Sequence, residues 1–144
     1  MKKPDAAFDL SRFLKAQEGV YSRALSELQR GRKETHWMWF IFPQLRGLGS
    51  STASRLYALS GPEEARAYYA HPVLGPRLTE CAGALLLHSG RAVEELLPYP
   101  DDLKLRSCAT LFLSATEEAL FARILDTFFH GRRDERTVAL LGMV

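Results

Sequence analysis

The chain has 144 residues, 47% of them hydrophobic, and its 19 basic against 17 acidic residues leave a formal net charge of +2. A length of this order fits one domain, residues 1–144, which buries roughly two-thirds of its unfolded surface without a disulfide or metal staple. The composition excludes disorder, and the charge balance excludes nucleic acid as the default partner.

Cys81 and Cys108 sit among apolar residues at no metal-ligand spacing, and read as buried free thiols of a reducing cytosol. Pro4, Asp5, Asp9, Arg12 and Lys15 interrupt any apolar core of an export signal, and the longest apolar runs are too short for a membrane span. The expected location is therefore the cytoplasm. The oligomeric state is not legible.

Phe8, Leu10, Phe13 and Leu14 have helical spacing, with Asp9 or Ser11 as cap. Val20, Tyr21, Leu25 and Leu28 predict a second helix to Arg30, stopped by Gly31. Gly19 marks a break between the two or a weak turn in one long helix. Trp37 to Phe42 is an almost unbroken apolar run ended by Pro43, and periodicity does not decide between a short buried strand and a buried helical turn. Gly47 and Gly49 allow a tight loop, and Ser50, Ser51 and Thr52 offer caps for a helix through Tyr57 to Leu59.

Ser60 is the expected cap of a helix that takes Pro62, Glu63 and Glu64 into its first turn and runs to Ala70. His71-Pro72 forces a corner. The next helix starts near Leu74 or Pro76 and buries Leu78, Cys81, Ala82, Leu85 and Leu86 until Ser89-Gly90. A short helix covers Ala92 to Leu97. Asp101 or Asp102 then caps a helix holding Leu103, Leu105, Leu111, Phe112 and Leu113. Leu120 to Phe129 is amphipathic up to Gly131, and Arg132 to Glu135 read as solvated. Thr137 to Met143 forms a terminal helix. The expected fold is mainly all-α, one compact multihelical domain, with room for a short extended segment near Trp37–Phe42.

Residues 31–54 condense the chain's cations, aromatics and small residues, including both tryptophans. Lys33, His36, Trp37 and Trp39 can hold an anionic aromatic ligand through charge, hydrogen bonding and stacking. The plainer alternative is core tryptophans beside an exposed lysine. Gln44 to Ser51 offers backbone amides to an anion, but matches neither a P-loop nor a dinucleotide fingerprint, and an ordinary helix-entry loop reads equally well. In Asp101-Asp102-Leu103-Lys104-Leu105-Arg106-Ser107, Lys104 and Ser107 lie three apart on one helix face, suited to an anion, unless this is simply a charged helix start. The pair reads K-x-x-S rather than S-x-x-K, which argues against an activated nucleophile. His71 with Arg77 reads as a corner, and His88 and His130 as helix-end residues. None has metal-ligand spacing, and no metal or cofactor is expected.

Lys33 with His36-Trp37-Met38-Trp39-Phe40-Ile41-Phe42-Pro43-Gln44 and Gly47-Leu48-Gly49 resembles the signature of a bacterial domain-of-unknown-function family, number 1810 in that series. Its members are sometimes labelled calpastatin, a label these residues do not support. Tyr57-Ala58-Leu59, the His71 to Leu78 segment, and Asp101 to Ser107 with Thr110-Leu111-Phe112 extend the resemblance from about Phe8 to Leu141. Cys108 and Ala109 depart from residues common in relatives, and leave Lys104, Ser107 and Thr110 in place. The resemblance implies a mainly helical single domain and carries over no activity, cofactor or catalytic residue.

The functional expectation is a domain binding a small anionic, nucleotide-like metabolite. Lys33, His36, Gln44, Arg46, Lys104 and Ser107 would share one pocket, with Trp37 or Trp39 stacking on the ligand. One alternative is an enzyme acting on a phosphate ester or nucleotide glycosidic bond, with His36 as general base. Another is an interaction module using the apolar run.

Overall fold

The computed structural model describes residues 8–142, and the end of the expected terminal helix at Met143 lies outside them. Among the described residues ten helices form and no strand does: α1 (Ser11–Gln17), α2 (Tyr21–Arg30), α3 (Met38–Ile41), α4 (Thr52–Leu56), α5 (Pro62–Ala70), α6 (Leu74–Leu86), α7 (Val93–Leu96), α8 (Asp101–Thr116), α9 (Ala119–Phe129) and α10 (Glu135–Leu141). They make one all-α domain with α8 at its centre. Helices α5, α7, α9 and α10 pack around α8, while α6 joins α2, α3, α5 and α9 on the other side.

The sequence of α8 explains its position. Leu105, Cys108, Ala109, Leu111, Phe112 and Ala115 are buried on several sides of one helix, so it cannot present a broad polar face to water. Tyr68, Tyr69, Phe112 and Phe121 form an edge-to-face and stacked cluster with neighbouring centroids 5.4–6.5 Å apart, which locks α5, α8 and α9 together.

The connections place the distinctive segment. Gly19 does break α1 from α2, at φ +72°. Gly31 closes α2 in the left-handed conformation, φ +82°, and turns the chain toward α7, where Lys33 N–H donates to the Leu96 carbonyl at 2.8 Å. The run from Trp37 contains no extended segment. It is one helical turn, with Ile41 and Phe42 N–H groups bonded to the Trp37 and Met38 carbonyls at 3.1 Å each. Pro43 ends the turn, and the chain leaves as a single parallel bridge between Leu45 and Leu59.

Several boundaries differ from the expectations. Helix α4 stops at Leu56 rather than Leu59, because Leu59 is drawn into that bridge through hydrogen bonds to Gln44 and Arg46. Ser60 does not cap α5; its N–H donates to Glu64 Oε1 at 2.8 Å. Neither Asp101 nor Asp102 caps α8, since both lie inside the first turn after Pro100. Asp134 is not merely solvated: it caps α10 by accepting from Thr137 N at 2.9 Å and Thr137 Oγ1 at 2.6 Å.

Candidate functional site

The site begins with a buried carboxylate. Glu27, on the inner face of α2 and only 1% exposed, accepts four hydrogen bonds. The donors are the N–H groups of Glu34 (2.7 Å) and Thr35 (3.0 Å), the Thr35 hydroxyl (2.6 Å) and the Trp37 indole N–H (2.9 Å). The segment from 34 to 37 therefore winds around one anion. Burial opposes ionisation of Glu27, but these four donors outweigh it and hold the carboxyl down at about 2.

That turn sets Lys33 against the start of α8. Lys33 Nζ lies 2.8 Å from Asp101 Oδ2, and Lys104 Nζ lies 2.9 Å from Asp101 Oδ1. Two cations from distant segments thus share one carboxylate. The Lys33 side chain is 8% exposed, Asp101 17% and Lys104 20%. Burial raises the Asp101 carboxyl, and the two ammonium groups overcome this to keep it below its ordinary value. Each lysine also stands over an indole: Lys33 Nζ is 5.1 Å from the Trp37 ring centroid and Lys104 Nζ is 4.5 Å from that of Trp39.

A cavity of about 350 Å³ opens between these groups, with Lys33, His36, Trp39, Tyr57, Asp101 and Lys104 in its walls. Helix α4 contributes Ala53 and, at its end, Tyr57, whose ring packs 5.3 Å from Phe40. Trp39, Phe40 and Tyr57 are half-buried, and His36 is exposed. The space is of the size that takes a small organic ligand, with one flat aromatic wall and one cationic wall.

The structure brings together Lys33, His36, Trp37, Trp39 and Lys104 among the sequence candidates. It does not bring in the other three. Gln44 is buried, its backbone carbonyl tied to Leu59 N–H, and does not line the cavity. Arg46 is exposed and lines a neighbouring cavity. Ser107 is buried and its hydroxyl donates to the Leu103 carbonyl at 3.2 Å, within its own helix. Trp37, 1% exposed with its indole N–H spent on Glu27, belongs to the core rather than to a stacking surface.

Sequence reasoning missed Glu27, Tyr57 and the role of Asp101. For Asp101 the signal existed, because Asp101 and Lys104 stand three apart and so share a helix face. Nothing in the sequence joins either to Lys33.

The remaining candidates are structural. His71 Nδ1 accepts from the N–H groups of Val73 (3.1 Å) and Leu74 (3.3 Å), which makes it a corner residue, and Arg77 instead reaches Gln17 Oε1 at 3.1 Å. His88 Nε2 lies 3.0 Å from the Leu28 carbonyl, at the end of α2 rather than of its own helix. Burial pushes both thiols up, Cys81 to about 12, so neither is a ready nucleophile. Among the described residues no three His, Cys, Asp or Glu side chains gather as a metal-ligand set, and no helix is long and apolar enough to cross a membrane.

Fold and cavity together define a small all-helical protein with an aromatic recess whose cationic wall is built from two remote segments. The chain belongs to the family described as "Protein of unknown function (DUF1810)", which it matches over residues 7–141. It is similar to a conserved hypothetical protein, Rv1873 from Mycobacterium tuberculosis, known from a crystal structure. The two share 51% identity and a TM-score of 0.94, over 96% of this chain and 99% of the other. No protein of curated function matches it.

Proposed function

We propose that the recess bounded by Lys33, Trp39, Tyr57 and Lys104 binds a small planar anion of mononucleotide size. One observation carries the reading: two ammonium groups meet on a single carboxylate at the wall of a cavity. Beside the half-buried Trp39 indole and Tyr57, the ammonium groups of Lys33 and Lys104 outnumber the single carboxylate they pair with, and an anion with a flat ring gains both charge pairing and stacking there.

The hydrolytic alternative has weaker support. His36 stands exposed on the cavity wall, no hydrogen bond among the described residues orients its ring, and the Ser107 hydroxyl is committed to its own helix. The docking-module alternative fares no better, because Trp37, Met38, Ile41 and Phe42 are buried.

Calorimetric titration with AMP tests the proposal. Lys104→Ala should weaken AMP binding roughly 10- to 100-fold, the value of one charge-assisted hydrogen bond, while leaving the melting temperature within a few degrees. Trp39→Phe should abolish the quenching of indole fluorescence by AMP. Wild-type protein that ignores AMP, or a Lys104→Ala protein that binds it undiminished, overturns the reading.

A further inference from the structure

A second cavity, of about 400 Å³, lies against the first and is lined by Arg46, Gly47, Gly49, Ser54, Arg55 and Ala58. No residue lines both, but one segment stands between them. Helix α4 and its end give Ala53 and Tyr57 to the first cavity, and Ser54, Arg55 and Ala58 to the second. Trp39 lines the first cavity, and its indole edge packs near Gly49 of the second. A Cβ on Gly49 would lie at an ordinary contact distance of 3.6 Å from Trp39 Cη2, but only 2.9 Å from Ser54 Cβ. Only glycine lets this loop lie so close to Ser54.

The second cavity is cationic without compensation. Its lining holds no carboxylate, and neither Arg46 nor Arg55 has an acidic partner within salt-bridge distance among the described residues. Their backbones are fixed: Arg46 N–H donates to Leu59 O at 2.8 Å, and Arg55 N–H to Ser51 O at 3.1 Å. Arg136 donates to the carbonyls of Gly47 (3.2 Å) and Leu48 (3.4 Å), occupying oxygens that would otherwise repel an anion beside the cavity. Guanidinium forks on a concave wall suit a phosphoryl group, whose oxygens accept their parallel N–H groups.

We propose that the two cavities are halves of one bipartite site for an aromatic compound bearing two separate phosphoryl groups, by chemical class a nucleoside bisphosphate. One phosphoryl group sits at Lys33 and Lys104, the other at Arg46 and Arg55, and the base lies against Trp39 between them. This rests on the reading of the first cavity and adds a second anion to it.

The experiment compares adenosine 3′,5′-bisphosphate with AMP by calorimetry on wild type, Arg46→Ala, Arg55→Ala, the double variant and Lys104→Ala. The bisphosphate should bind wild type roughly 10- to 100-fold more tightly than AMP. The double arginine variant should lose that advantage while keeping its AMP affinity, and Lys104→Ala should weaken both ligands. Equal affinity of wild type for the two compounds, or an undiminished advantage in the double variant, overturns the bipartite site and leaves the first cavity standing. If wild type binds neither compound, both readings fall together.

Discussion

Trp37 and Trp39 stand two residues apart, and each has a lysine above its ring, yet they belong to different parts of the molecule. Trp37 is sealed and its indole N–H is held by Glu27, whereas Trp39 is half-buried and flanks a cavity. The difference comes from the single helical turn α3. Residues two apart on a helix point about 200° from each other, while on a strand they would share a face. An extended segment here would have committed both tryptophans to the core or both to the recess. One turn of helix instead seals the first in the core and leaves the second on the cavity wall.

The comparison breaks first at Glu27. Glu27→Ala leaves three N–H groups and a hydroxyl without their acceptor, and should cost on the order of 3–5 kcal/mol in urea unfolding. A loss below about 1 kcal/mol would mean the turn holds without its anion. The pH dependence has a definite sign. Folding depresses the Glu27 carboxyl from 4.5 to about 2, so its contribution is complete above about 4.5 and disappears as pH falls toward 2. A Glu27→Gln protein should show a flatter stability profile than wild type across that window.

Asp101 sharpens the contrast from the cavity side. Asp101→Asn removes the carboxylate shared by two lysines, and should cost about 1–2 kcal/mol, less than Glu27 because the groups are partly solvated. Its folded-state carboxyl is also depressed, so this contribution too should fade on acidification, and the variant should lose less stability than wild type below the ordinary carboxylate range. The smallest effect belongs to Ser107→Ala. With its hydroxyl spent on Leu103, unfolding free energy should stay within about 0.5 kcal/mol and AMP affinity should not move. A clear loss of AMP binding would return Ser107 to the site.

Much of the helical order was readable because glycine and proline punctuate it: Gly19, Gly31, Pro43 and Pro62 each sit where a helix stops, breaks or begins. The segment that carries the recess was readable too, since lysine, imidazole and indole groups are crowded there more than anywhere else. Which tryptophan faced outward was not readable, because an unbroken apolar run has no periodicity to decode. Glu27 escaped notice because a lone carboxylate in an amphipathic helix looks like a solvated one until its donors are in place. Gln44 and Ser107 were drawn in by their neighbours in the chain, and proximity along the chain says nothing about which way a side chain turns.

Asp101 clasps residues 33 and 104, and with that clasp the recess ceases to be a property of any stretch of sequence. A peptide carrying the tryptophan-rich run alone holds one ammonium group and no opposing wall, so transplanting it into another scaffold transfers nothing. Occupancy of the recess instead draws on the whole domain, and any ligand it holds should raise the melting temperature of the described helices as a unit.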